Sequence, residues 1–147
     1  MNKESVSFRR KARVLALQAL YQWLLGGHDI SEIELQFRVA NNMNKVDDAY
    51  FCHLLYGVTK EVELIEGRLI PFLDRALTDL NPVELSVLRL SGYELLFCPE
   101  IPYRVILNEA VTLAKTFGSQ DGHRYVNGVL NNLARVVRSV EVGLDNG

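Results

Sequence analysis

Residues 101–138 read IPYRVILNEAVTLAKTFGSQDGHRYVNGVLNNLARVVR. Pro102 pre-sets φ and lacks an N–H that a first helical turn would leave unpaired, so it suits a helix start. Ile106, Ala110, Leu113 and Phe117 then recur at helical spacing and share one face. Gly118 follows at once and is expected to close that helix in a left-handed conformation. A second helix is expected from about Asp121, burying Val126, Val129, Leu133 and Val136 or Val137. Between the two lies a short polar corner, residues 118–125, carrying an acid, an imidazole, a guanidinium and an aromatic ring.

Upstream of this hairpin the strongest helix start is Leu80-Asn81-Pro82-Val83-Glu84-Leu85. Asn81 reads as the cap, Pro82 as the first helical residue, Glu84 as the third, and Leu80 as a staple onto Leu85. Leu85, Leu88, Gly92 and Leu95 or Leu96 define its inner face, with Gly92 admitting another helix closely; Cys98-Pro99 ends it. Earlier still, Asp47 caps a long helix whose Phe51, Leu54, Leu55, Val58, Val62, Ile65 and Leu69 hold the 3.6 period over five turns. Glu61, Glu63 and Glu66 fall on its solvated side. Ser31 with Glu34 predicts a capping box, Ile30 a staple onto Leu35, and Ile33, Phe37 and Ala40 a buried face. The first helix is expected to start at Ser5 or Ser7 and to run to about Leu25, ending at Gly26-Gly27. It is nearly apolar all round in its later half, with Trp23 as a core anchor and its basic first turns projecting from the packed body.

No strand pattern survives. The fold predicted is all-α, six or seven helices in two small bundles that share one compact domain: an N-terminal sub-bundle over about 1–80 and a C-terminal one over about 81–147. With 147 residues and 48% hydrophobic content the chain can bury one good core. No apolar run approaches the roughly 18 to 20 residues that span a bilayer, and the polar start is unlike a secretory signal. Cys52 and Cys98 sit in apolar helical patterns and read as buried, reduced thiols, which fits a cytoplasmic protein.

Net charge is −2, but its distribution is uneven. Residues 1–13 hold Lys3, Arg9, Arg10, Lys11 and Arg13 against Glu4, a net of +4, and the remainder is −6. A basic end on an acidic body has a directional field that orients a polyanion.

Catalytic machinery is absent from the pattern. There is no phosphate-binding glycine loop, no cysteine pair at zinc spacing and no His-Glu-x-x-His run. Cys52 and His53 are neighbours on a helix and point about 100° apart, which argues against a metal pair. Asp121 and His123 suit helix capping or ligand contact better than proton transfer, because a helix corner offers no enclosed pocket to tune them. Binding remains. Arg9 and Arg13 are four residues apart and Arg10 and Arg13 three apart, so on a helix they are expected to share a side. Guanidinium forks suit phosphate oxygens, and Tyr125 suits stacking on an unpaired base, so the pattern suits single-stranded RNA better than a DNA duplex.

Beyond these physical readings, particular blocks resemble a known family. They are Arg9-Arg10-Lys11-Ala12-Arg13 with Ala16-Leu17-Gln18-Ala19-Leu20-Tyr21-Gln22-Trp23; Val87-Leu88-Arg89 with Gly92-Tyr93-Glu94-Leu95; Ile101-Pro102-Tyr103 with Asn108-Glu109-Ala110 and Leu113-Ala114-Lys115; and Phe117-Gly118 with Tyr125-Val126-Asn127-Gly128-Val129-Leu130. Over nearly the whole chain they resemble the NusB family of bacterial transcription antitermination factors.

The resemblance implies an all-helical protein of two small bundles, and with the motif search empty no cofactor and no catalytic role are expected. It would pair with the small-subunit ribosomal protein NusE and bind the boxA segment of nascent ribosomal RNA. With other Nus factors it would let RNA polymerase read through terminators. By position, Arg9, Arg10, Lys11 and Arg13 match the family's RNA-binding run, to which Lys3 adds charge. Asp121, Arg124 and Tyr125 occupy the corner the family places near RNA, and Tyr21 and Glu84 match positions directed to the ribosomal protein. Two rivals stand beside this: a helical protein–protein adaptor whose basic arm meets an acidic partner, and a NusB-like fragment of a ribosomal RNA methyltransferase.

Overall fold

The computed structural model describes residues 2 to 146. Among them there are eight α-helices and no strand: α1 (Lys3–Gly26), α2 (Ile30–Ala40), α3 (Asp48–Lys60), α4 (Val62–Leu69), α5 (Pro82–Phe97), α6 (Tyr103–Phe117), α7 (Gly122–Val137) and α8 (Ser139–Asn146). Short 3-10 turns occupy Met43–Lys45, Ile70–Phe72 and Leu77–Asp79. The all-α class follows the sequence reading, with one helix more than the upper count expected.

The chain divides into two compact units, Met1–Lys60 and Glu61–Gly147. The division falls about twenty residues before the expected boundary near residue 80. Its local cause is a break at Glu61, whose φ of −105° and ψ of 15° interrupt the long helix predicted over five turns. The apolar period runs through the break unchanged, so periodicity alone did not reveal it. Beyond the break, α4 packs on α5. Gly92 makes that approach possible, since a Cβ there would stand 3.1 Å from Ile65 Cγ2. Glu66, expected on the solvated face, is drawn to Arg89 of α5, whose Nη2 lies 2.7 Å from its carboxylate.

In the first unit α1 packs against α2 and α3. Asn2 caps α1, its side chain accepting from Ser5 N–H at 2.7 Å, so the helix begins before either predicted serine. Gly27 ends it at φ 68°, the left-handed conformation that glycine adopts without penalty. Ala12, Ala16, Leu17, Ala19 and Leu20 are buried; Trp23 is only half-buried and Leu25 is exposed, so the helix end is less enclosed than its composition suggested. The capping box at Ser31 does not form. Asp29 caps α2 by accepting from Ser31 N–H, Leu35 is exposed instead of stapled, Ala40 is exposed, and only Ile33 is fully buried on that helix.

Glu34 is freed from capping and instead holds α2 to α3. It accepts from Arg38 Nε at 2.7 Å and from the Tyr56 hydroxyl, while Arg38 reaches Asp48 with its other nitrogens. Cys52 lies within this cluster, half-buried where a fully buried thiol was expected, and burial pushes its thiol above the ordinary range. Asp47 caps α3 as predicted, accepting from Tyr50 N–H at 3.1 Å.

In the second unit α5 is the central rod, buried continuously from Glu84 to Leu95 and flanked by α4, α6 and α7. Asn81 accepts from the N–H groups of Val83 and Glu84, and Leu80 and Leu85 are both buried, as the start signal required. Arg138 closes the other end. Its guanidinium, 8% exposed, donates to the carbonyls of Leu95, Cys98 and Ile101 at 2.9 Å each and to Glu94 at 3.3 Å, and pairs with Glu141. These include carbonyls that the end of α5 leaves without a helical partner. Glu141 also accepts from Tyr103 N–H at 2.7 Å, serving the first turn of α6.

Candidate functional site

The basic run is built into α1. Phe8 carbonyl accepts from Asp47 N–H at 3.0 Å, tying that helix to the start of α3. The Arg9 guanidinium stands 4.4 Å from the centre of the Tyr50 ring, with Nε 3.8 Å from Asp47. Arg13, one turn on, stands 5.4 Å from the same ring and is 3% exposed. The expectation of a projecting arm therefore needs correction: Arg9 and Arg13 lean on Tyr50, while Lys3, Arg10 and Lys11 are exposed on the rest of the helix surface. The reason is spacing. Arg9 and Arg13 are four residues apart and turn with the buried stripe, whereas Arg10 and Lys11 are rotated away from Arg9 by about 100° and 200°.

Two depressions border this surface. Lys3 and Arg10 flank one of about 310 Å³ with Val6 at its side. Lys11 faces Lys45 across another of about 370 Å³, floored by Val14, Leu15 and Val46. Lys45 was missed by the sequence reading because it lies in a short turn with no cluster of its own.

The corner between α6 and α7 is organised by a buried acid. Glu84 is 7% exposed and accepts from Ser119 N–H at 3.1 Å and Ser119 Oγ at 2.7 Å. Gly122 lies so close that a Cβ there would run into the same carboxylate. Glu84 thus has an intramolecular task at this corner. Gly118 also departs from expectation: its φ is −92°, not left-handed, and glycine is needed because a Cβ would stand 2.7 Å from the Ala114 carbonyl oxygen.

Asp121 is exposed at the cap position of α7 but makes no capping bond, and Arg124 is exposed. Tyr125 is half-buried. Its ring carries the Arg75 guanidinium 4.7 Å from its centre, and its hydroxyl accepts from Asp74 N–H at 3.4 Å. Burial pushes the Tyr125 phenol above its ordinary range, so the ring is neutral at physiological pH. Arg75, held by Asp74 at 2.7 Å, is a second residue the sequence reading missed. It is 50 residues from Tyr125 in the chain, and only folding brings a guanidinium plane onto that ring. Tyr21 is half-buried on α1.

Among the described residues, no group of three or more His, Cys, Asp or Glu side chains is placed to hold a metal ion, and no helix is long and apolar enough to cross a membrane. The chemistry on display is cationic and aromatic, suited to phosphates and flat rings.

Residues 10–135 match the NusB family, a span that reaches into both compact units. The chain belongs to the NusB family. Within that family it is 63% identical over 146 residues to the transcription antitermination protein NusB of Legionella pneumophila (strain Corby), covering 99% of each chain. Among solved structures, NusB of T. maritima superposes with a TM-score of 0.77 at 29% identity, covering 87% of this chain and 91% of that one. A complex of the antitermination factors NusB and NusE with double-stranded RNA contains a chain matching with TM-score 0.77 at 25% identity, covering 87% of this chain and 96% of that one.

Proposed function

We propose that this NusB-family chain is a transcription antitermination factor that binds single-stranded boxA RNA in nascent ribosomal transcripts, paired with the ribosomal protein NusE. Acting in the cytoplasm with other Nus factors and RNA polymerase, the complex promotes read-through of terminators. The chain contributes binding and no catalysis. The observation that carries the reading is the α1 surface, where Tyr50 and Asp47 immobilise Arg9 and Arg13 while Lys3, Arg10 and Lys11 stand exposed. The exposed cations are free to reach phosphates, and the held guanidiniums add to the same positive field. The NusB chain solved with NusE and double-stranded RNA supports NusE and RNA as the classes of partner.

In this reading Lys3, Arg10 and Lys11 meet phosphates directly. Arg9 and Arg13 reinforce the field and hold the helix. Asp121, Arg124 and Tyr125 supply the second contact, in which Tyr125 with Arg75 upon it offers a stacked plane to a base. Tyr21 serves NusE, and Glu84 acts at one remove by fixing Ser119 and the corner. A short basic surface on an otherwise acidic chain has a modest grip alone, so NusE is required to extend it.

The test is fluorescence anisotropy of a labelled boxA RNA and a scrambled control, with and without NusE. Expected is weak binding alone, tight boxA-selective binding with NusE, and loss of most affinity when Lys3, Arg10 and Lys11 are changed to alanine. Equal binding with and without NusE, or indifference to base order, would overturn the reading in favour of an adaptor.

A further inference from the structure

The second unit carries a cleft on the α6–α7 hairpin that the RNA reading does not use. Its volume is about 280 Å³, and Arg104 and Asn108 of α6 with Asn127, Asn131 and Arg135 of α7 line it. Both rows step by four residues, so each set shares a helix face. Three carboxamides and two guanidiniums share this concavity, and among the described residues no carboxylate lines it.

Each group specifies part of a ligand. A carboxamide presents a donor and an acceptor side by side, which matches the C=O and N–H of an extended peptide group. A guanidinium fork matches a carboxylate. The molecule supplies its own example: Asp145 of α8 is seated on Arg104 with Oδ2 2.7 Å from Nε. Arg135 is exposed and has no partner among the described residues. Nucleobases would require an open aromatic face. The ring in this cleft is Tyr103, 5% exposed with the Arg104 guanidinium 5.7 Å from its centre, so that platform is closed.

We infer that the α6–α7 cleft is a docking site for an extended acidic peptide segment of a partner protein. The asparagines clasp its main chain and Arg135 takes a carboxylate, while Asp145 competes for Arg104. The inference is independent of RNA binding by α1.

The probe is a blocked heptapeptide alternating serine with aspartate, titrated into the isotopically labelled full chain and followed by two-dimensional NMR. A lysine-for-aspartate peptide and a short uridine RNA are the controls. Expected are saturable shifts in the side-chain amides of Asn108, Asn127 and Asn131 and in the Arg135 Nε–H, with the acidic peptide alone. Arg135→Glu, an exposed change that leaves the remaining spectrum in place, should raise Kd about tenfold or more. Asp145→Asn should lower it by freeing Arg104. Absence of a saturable shift, an equal response to the uridine RNA, or a Kd unmoved by Arg135→Glu overturns the inference.

Discussion

Arg138 shows how much one side chain decides here. A single guanidinium, almost wholly buried, serves four carbonyls around the end of α5 and one carboxylate. Replacing it with methionine keeps much of the volume and removes every donor, leaving buried carbonyls unpaired. The expected loss is about 2–4 kcal/mol in urea unfolding. Lysine should recover only part of it, because one ammonium cannot span a fork's worth of acceptors. Gly118 is the opposite case, a residue defined by what it lacks. With the Ala114 oxygen 2.7 Å from where a Cβ would sit, Gly118→Ala should cost about 1–3 kcal/mol through a forced backbone shift, read as a lowered urea midpoint. Neither role was legible in the sequence. No sequence signal singled out Arg138, and Gly118 was expected to be there for a positive φ that it does not adopt.

Between elements, a clasp of charges joins α2 to α3, and Ile33 alone is fully buried on α2. Glu34 is held below its ordinary 4.5 by the Tyr56 hydroxyl first and Arg38 second, and Asp48 below its ordinary 3.8 by Arg38. The Tyr56 phenol is pushed up to about 12 by the same carboxylate. Carboxylates with depressed values add stability above their unfolded values and lose it as pH falls through the folded ones. Stability should therefore decline on acidification below about pH 4.5, as those two groups protonate. Arg38→Gln should lower Tm at pH 7 and flatten this acid limb, since both carboxylates lose their guanidinium. Tyr56→Phe should act through Glu34 alone. An acid limb as steep in Arg38→Gln as in the parent would assign the pH dependence elsewhere. The sequence showed α2 clearly but misassigned Glu34 to a capping box, since three-residue spacing from Ser31 carries no information about Arg38 or Tyr56.

At the scale of the molecule, the field is uneven: a +4 stretch at one end of a chain whose remainder is −6. Neutralising four or five phosphates should give a log–log salt slope near about −3 for single-stranded RNA. Removing Lys3, Arg10 and Lys11 together should bring it toward about −1. A slope unchanged in that triple variant would place the phosphates on another surface. Arg9→Ala or Arg13→Ala should in addition lower thermal stability, because each strips a cation from Tyr50. Loss of RNA binding in those variants is informative only beside a melting curve.

Local signals were enough to establish the all-helical class, most helix boundaries, the Asn81-Pro82 start of α5, the Gly92 approach and the basic run on α1. Each depends on residues within a turn or two of one another, where propensity, capping and the 3.6 period act directly. Only the tertiary structure decided which of those cations stay exposed, since Tyr50 lies 41 residues beyond Arg9. It also turned Glu84 onto Ser119, set Arg75 on Tyr125, broke the long helix at Glu61 and buried Arg138. Apart from the Glu61 break, these outcomes share one cause. A polar side chain withdrawn from water must find partners of fitting geometry, and those partners come from chain segments brought close only by folding.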